Sequence, residues 1–207
     1  MNDFLNEAEQ GEYVKKWIKK YAAGIVLLLA ATLLSGIAWQ KYQEYNIKKS
    51  QTAANLYNML TTLPLSPESI KIANTLTSDF TKTPYAQLAA ITLAKNNLML
   101  NPANTQLATS ELNWAMTHGP ASYIKQLAQI DLAHLYIQEE NYPQALNLLQ
   151  QLKSSPFSGM INESIGDAYF YQKKYNSALK SYELAKQDLP PSGQSLLSMK
   201  INNLPRN

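Results

Sequence analysis

The stretch from Asn162 to Pro190 constrains this chain more than any other. Ile165-Gly166 sets a small residue beside a large one, and Tyr169 follows one turn later. Ala178, Tyr182 and Ala185 continue the pattern before Pro190 closes it. The three-and-four intervals read as two helices. Gly166 on the first and Ala178 on the second let the helices cross closely, with Tyr169 and Tyr182 filling the space beside them. One such hairpin leaves an apolar face uncovered, so copies of it have to stack.

Copies are present. Ala133 lies 33 residues before Gly166, and Ala145 lies 33 before Ala178. Leu132, Tyr136, Leu149 and Leu152 occupy matching places, with Pro156 near the end. Further upstream Ala108, Leu112, Ala115 and Pro120 repeat the second-helix pattern, and Leu93-Ala94 repeat the first-helix pattern two residues out of register. A period of about 34 residues is that of tetratricopeptide repeats, and a fixed period separates stacked repeats from an ordinary bundle. The expected fold is all-α: a single N-terminal transmembrane helix, then an α-solenoid of helical hairpins, clearest over 125–157 and 159–190.

The membrane helix comes from Ala22–Trp39, which holds no charged residue over 18 positions. That is near the short end of the roughly 17–25 residues a span requires. Trp17, Tyr21 and Trp39 stand at its edges, where interfacial aromatics belong. The segment is apolar all round, unlike a surface helix. Lys15, Lys16, Lys19 and Lys20 precede it, whereas Lys41 is the first cation after it. That bias puts the N-terminus in the cytoplasm. The expected division is a cytoplasmic tail over 1–20, a helix in the bilayer over 21–39 and a periplasmic domain over 40–207. A cleaved signal peptide fits less well, because a short basic leader does not carry Asp3, Glu7, Glu9 and Glu12.

Residues 1–14 read as a short mobile tail. Gln40–Leu63 reads as a helix continuing from the span. Ser66 is placed to cap the next helix, with Pro67 in its first turn and Ile70, Ile72, Ala73, Leu76 and Phe80 along it. Thr83-Pro84 opens the following helix in the same way. Tyr85–Leu100 then pairs with Pro102–Thr117 across an Asn101-Pro102 cap, and His118-Gly119-Pro120 is a stop. Ala121–Glu139 pairs with Tyr142–Lys153, and Phe157–Gln172 with Tyr175–Gln187. Ser192–Ile201 is a terminal helix suited to capping the last repeat.

The chain has 18 basic and 15 acidic residues and no basic stripe interleaved with aromatics, which argues against nucleic acid as a partner. Cysteine is absent, so disulfide and thiolate chemistry are excluded. His118 and His134 stand alone, without metal-ligand spacing, a phosphate-binding Gly-rich loop or a nucleophile motif. No catalytic, metal or cofactor residue is expected, and the chain does not read as an enzyme. Repeat arrays of this type bind along the face lined by their first helices. That geometry selects Leu127, Ile130, His134 and Ile137 in the middle repeat, and Met160, Glu163, Asp167, Phe170 and Tyr171 in the last. The lining is apolar and acidic and suits an apolar segment of a partner. The other reading is that the Gln40–Leu63 helix or the C-terminal helix fills the groove.

Several motifs are not demanded by a repeat array. They are Val14-Lys15-Lys16-Trp17, then Pro84-Tyr85-Ala86 with Leu88-Ala89-Ala90 and Leu93-Ala94-Lys95, and the terminal Met199-Lys200-Ile201-Asn202-Asn203-Leu204. Through them the whole chain resembles the ancillary SecYEG translocon subunit family of Gram-negative inner membranes. It departs locally at proline-rich 63–69 and 190–195. The resemblance implies an uncleaved single-pass protein with a periplasmic repeat domain. It implies association with the SecYEG translocon and with a membrane-anchored prolyl-isomerase-like periplasmic chaperone. It further implies a part in handing emerging secreted chains from the channel to chaperones. Two other roles stay open from the residues alone: a holdase acting directly on unfolded chains, and a scaffold for cell-envelope or division assembly.

Overall fold

The computed structural model describes residues 7–100, 102–152 and 155–205. In chain order the helices are α1 (Glu7–Thr62), α2 (Pro67–Asp79), α3 (Pro84–Leu98), α4 (Thr105–Thr117), α5 (Ser122–Gln138), α6 (Tyr142–Gln150), α7 (Ser158–Tyr171), α8 (Tyr175–Asp188) and α9 (Pro191–Asn202). Two compact units are distinct, Met1–Lys49 and Ser50–Asn207.

In the first unit α1 is already helical at Glu7, where a mobile tail was expected through residue 14. Residues 1–6 of that tail lie outside the described residues. Among the described residues, one helix is long and apolar enough to cross a membrane. Its apolar side chains point outward, with Leu27 and Leu33 each 70% exposed. Its hydroxyls are satisfied within the helix: Thr32 Oγ1 donates to Leu28 O at 2.9 Å, and Ser35 Oγ to Thr32 O at 2.9 Å. A hydrocarbon surround demands that economy, because it offers no water to take their place. Past the apolar stretch, Lys41 and Lys48 flank Glu44 at 3.3 and 2.9 Å.

In the second unit each helix from α2 onward packs on the next, and α3, α5 and α7 also meet one another in succession. That is the wiring of a solenoid whose first helices share one side. At its start, Ala53 and Leu60 of α1 bury against Ile72, Ala73 and Leu76 of α2 and Ala89 and Leu93 of α3. The repeat positions then behave as their spacing requires. Ala94, Ala108, Ala133, Ala145 and Ala178 are all fully buried at crossings. A Cβ on Gly166 would lie 2.4 Å from the Tyr182 ring, so only glycine lets α8 approach α7 this closely.

The turns inside the repeats carry a signature of their own. Glu140 and Lys173, 33 residues apart, both take φ of 60°. Asn141 N donates to Tyr136 O at 2.7 Å and Lys174 N to Tyr169 O at 2.9 Å, with shorter-range bonds from Glu140 N to Ile137 O and Lys173 N to Phe170 O. Both are Schellman ends with a non-glycine residue in the left-handed position. The connection over 99–104 is longer than those over 139–141 and 172–174, which accounts for Leu93-Ala94 standing out of register.

Local caps divide expectation from outcome. Ser66 accepts from Ser69 N at 3.2 Å and its own N–H reaches Ser69 Oγ at 2.8 Å, a reciprocal capping box. Thr83 does not act in the same way, since its hydroxyl donates back to Phe80 O at 2.8 Å. Pro84 contributes no N–H, so that helix start has one donor fewer to satisfy. The cap of α4 is Asn104, which accepts from Leu107 N at 3.1 Å. Pro102 precedes the helix, and Asn101, expected to share in the cap, is outside the described residues, as is Lys153, the expected end of α6. Between α4 and α5 the chain turns at Gly119, with φ of 78°. The fully buried Gln87 holds that turn, donating to Ala115 O and Ala121 O at 3.2 Å and accepting from Ala121 N at 3.0 Å.

Candidate interaction groove

Helical rotation of about 100° per residue decides which α5 and α7 side chains share the face of the first helices. On α5 that face carries Leu127 and His134, both partly buried, and between them Asp131. Ile130 and Ile137, expected on the same face, are 1% and 7% exposed and belong to the core with Ala145, Leu149, Ile161 and Ala168. They stand on the edge of α5 that α6 and α7 cover, so they are not groove positions. On α7 the expected residues do reach the surface in part. Met160 is exposed, Tyr171 is 59% exposed, and Glu163, Asp167 and Phe170 are half-buried.

A polar contact links each first helix to the next. Lys95 Nζ of α3 meets Asp131 Oδ2 of α5 at 3.2 Å. His134 Nε2 of α5 lies 2.7 Å from Ser164 Oγ of α7. The Ser164 proton is engaged by Met160 O at 2.8 Å, so the imidazole is the donor to Ser164. Burial lowers the pKa of His134 below its ordinary value, although Asp131 and Asp167 oppose that shift. The neutral ring protonated on Nε2 is thus the state the fold prefers. His118, in contrast, is exposed at the end of α4, stacked on Trp114 with ring centroids 4.6 Å apart.

The last contact in the series comes from α9. Lys200 Nζ sits 2.8 Å from Glu163 Oε1 and 2.8 Å from Asp167 Oδ2, and Tyr182 donates its hydroxyl to Asp167 Oδ1 at 2.8 Å. Burial disfavours the ammonium, but Asp167 and Glu163 together outweigh it and raise the Lys200 pKa. Burial, then the Asp167 hydrogen bond, pushes the Tyr182 phenol strongly upward. Beside this cluster Phe170, Tyr171 and Asn203 complete a cleft of about 240 Å³.

The two helices expected as possible fillers of this face differ in what they reach. Ala53, Leu56, Tyr57 and Leu60 of α1 pack on α2 and α3. It is α9 that reaches the α7 carboxylates. The acidic lining read from the sequence is neutralised by Lys200, which leaves Leu127, Met160, Phe170 and Tyr171 as its apolar part. Asp131, Lys95 and Lys200 put charge on this face without having been expected there, while the buried Tyr182 reaches Asp167 from the core. Asp131 was within reach of the pattern, one turn after Leu127. Lys200 was not, because its partners lie more than thirty positions away.

The description of the matching family model, covering residues 15–206, is a tetratricopeptide repeat-like domain. Among curated proteins the chain is similar to the ancillary SecYEG translocon subunit of Escherichia coli (strain K12), 25% identical over 99% of each chain. It is 24% identical to the protein of that name from Neisseria gonorrhoeae, covering 97% of this chain and 98% of that one. The Haemophilus influenzae protein of that name is 23% identical, with the same coverage. No solved structure matches the chain.

Proposed function

The chain belongs to the tetratricopeptide repeat-like domain family, and from that premise we propose that it is an inner-membrane scaffold working beside the SecYEG translocon. The observation that carries this reading is similarity over nearly the full length to proteins bearing that name, apolar helix and repeat array included. On this reading the four lysines before the span keep the N-terminus cytoplasmic, and the repeat domain is periplasmic. The domain recruits a membrane-anchored prolyl-isomerase-like chaperone and helps pass emerging chains to it. The groove takes an apolar segment of that partner or of the client across Leu127, Met160, Phe170 and Tyr171.

The test is a mild-detergent pull-down of the full chain from native membranes, beside a form lacking 1–39. Recovery of channel subunits and an anchored chaperone with the full chain supports the reading. Recovery of division or envelope-assembly proteins alone overturns it. For the groove, Leu127→Asp with Phe170→Asp replaces half-buried apolar contacts by charge without touching the Ile130 core. Chaperone recovery that survives both changes in a folded domain removes the groove from the proposal.

A further inference from the structure

Two faces of α1 just before the apolar stretch differ in kind. Tyr13, Lys16, Trp17, Lys20 and Tyr21 line one face. Glu12, Lys15, Ile18 and Lys19 gather on the adjoining one, and Lys16 stands at the border of both. On the first face the Trp17 and Tyr21 rings are 5.3 Å apart, and Lys20 Nζ stands 5.3 Å from the centre of the Tyr21 ring. Two ammonium groups are thus set among three exposed aromatic rings. Among the described residues none of Lys15, Lys16, Lys19 and Lys20 is in an ion pair, whereas at the other end of the apolar stretch Lys41 and Lys48 share Glu44. Cations that keep their charge uncompensated at a bilayer surface attract anionic headgroups, and aromatic rings seat at the same depth.

From this juxtaposition we propose that the Tyr13–Lys16–Trp17–Lys20–Tyr21 face is a binding site for the phosphate of an anionic phospholipid, in the leaflet at the N-terminal end of the span. The proposal rests on 22–39 crossing the bilayer, and not on which side the N-terminus faces. Lys16 and Lys20, one turn apart, clamp one headgroup, and Trp17 and Tyr21 lie against its glycerol and upper acyl region. The adjoining face shares Lys16 and carries Lys15 and Lys19 beside Glu12, but it has no aromatic bed.

The experiment uses the full chain in liposomes, with Trp39→Phe and Trp114→Phe so that Trp17 is the one reporter. Quenching of Trp17 by brominated phosphatidylglycerol is compared with quenching by brominated phosphatidylcholine at equal mole fraction. The expected result is a several-fold preference for phosphatidylglycerol that weakens with salt. Lys16→Gln with Lys20→Gln abolishes the preference, whereas Lys15→Gln with Lys19→Gln keeps most of it. Lys16→Arg with Lys20→Arg, which preserves insertion and charge, also keeps it. Equal loss from both Gln pairs, or no preference in the parent, overturns the site while leaving the span intact. Absence of quenching by either lipid overturns the span reading itself.

Discussion

The two ends of the repeat array are closed by different means. At the start, Leu60, Ala53 and Leu76 meet in a purely apolar cluster. At the finish, Leu197 and Leu204 bury against Ala178, Tyr182 and Ala185, and beside them Lys200 is held by two carboxylates. Apolar packing is tolerant of small slides. A three-way ionic contact is not, and it fixes the register of α9 on α7. The start of the array continues directly from α1, so its register is set by the chain. The terminal helix follows a Pro190-Pro191 break and needs its register specified by contact.

Four measurements break or sharpen that contrast. The largest effects come from Leu60→Ala and Leu197→Ala, both fully buried positions, each expected to cost about 2–5 kcal/mol in urea unfolding. Loss at Leu60 is expected to lower the whole transition, and loss at Leu197 to release α9 first in hydrogen exchange. If both simply lower one transition equally, the ends are not energetically distinct. Next, Lys200→Met leaves Glu163 and Asp167 facing each other. A fully buried pair broken this way costs about 3–5 kcal/mol. Here the side chains are about a quarter exposed, so the expectation is reduced to about 1–2 kcal/mol. Adding Glu163→Gln and Asp167→Asn is expected to recover most of it, and failure to do so would reduce Lys200 to a packing stem.

The third measurement is pH dependence. Lys200 is raised above its ordinary 10.5, so its contribution is complete below that value and is lost as pH climbs through the folded one. Tyr182 is raised above 10.0, so the folded state resists ionisation that the unfolded chain undergoes, and stability again falls in alkali. Both act at the C-terminal end, and Tyr182→Phe is expected to leave the native phenolate absorbance near pH 10.5 unchanged. His134 has the opposite window. Its pKa is lowered, so stability is full above the ordinary 6.5 and declines as pH falls below it. His134→Gln is expected to flatten that acid slope in thermal melts. The smallest effects belong to Glu140→Asn and Lys173→Asn, which place a residue tolerant of the left-handed region in each turn and are expected to stabilise by about 0.5 kcal/mol apiece. Unequal gains would mean that α9 already constrains the last repeat.

Much of the fold was legible because the repeat prints its closest approaches as small residues. Gly166 against Tyr182 follows from spacing alone, as does the Ser66 cap. The groove was harder to read. Leu127, Ile130, His134 and Ile137 fit one stripe on paper, yet Ile130 and Ile137 stand some 40–80° around the helix from the other two. In a solenoid that rotation carries a side chain from the open face to a neighbour's core. Thr83 and Asn104 show the same limit for caps, since several polar residues near a helix start compete and the loop path selects one. The terminal Met199–Leu204 motif was noticed without a reason. Its reason is long-range: Lys200, Ile201 and Leu204 each complete a surface made by α7 and α8.

The Gln87 side chain has a consequence for where this chain can change length. Ala115 in the last turn of α4 lends a carbonyl, and Ala121 beyond the turn lends a carbonyl and an N–H, to a buried amide on a different helix. A Cβ at Gly119 would collide with that amide's side chain. One residue added or removed between His118 and Ala121 would shift the two Ala121 partners away from Ala115 and leave the buried amide with part of its bonds unmade. The connection over 99–104 carries no such obligation to a distant side chain among its described residues. Insertions, epitope tags and cleavage sites therefore belong there, and the Gly119 turn is the place where the array keeps count.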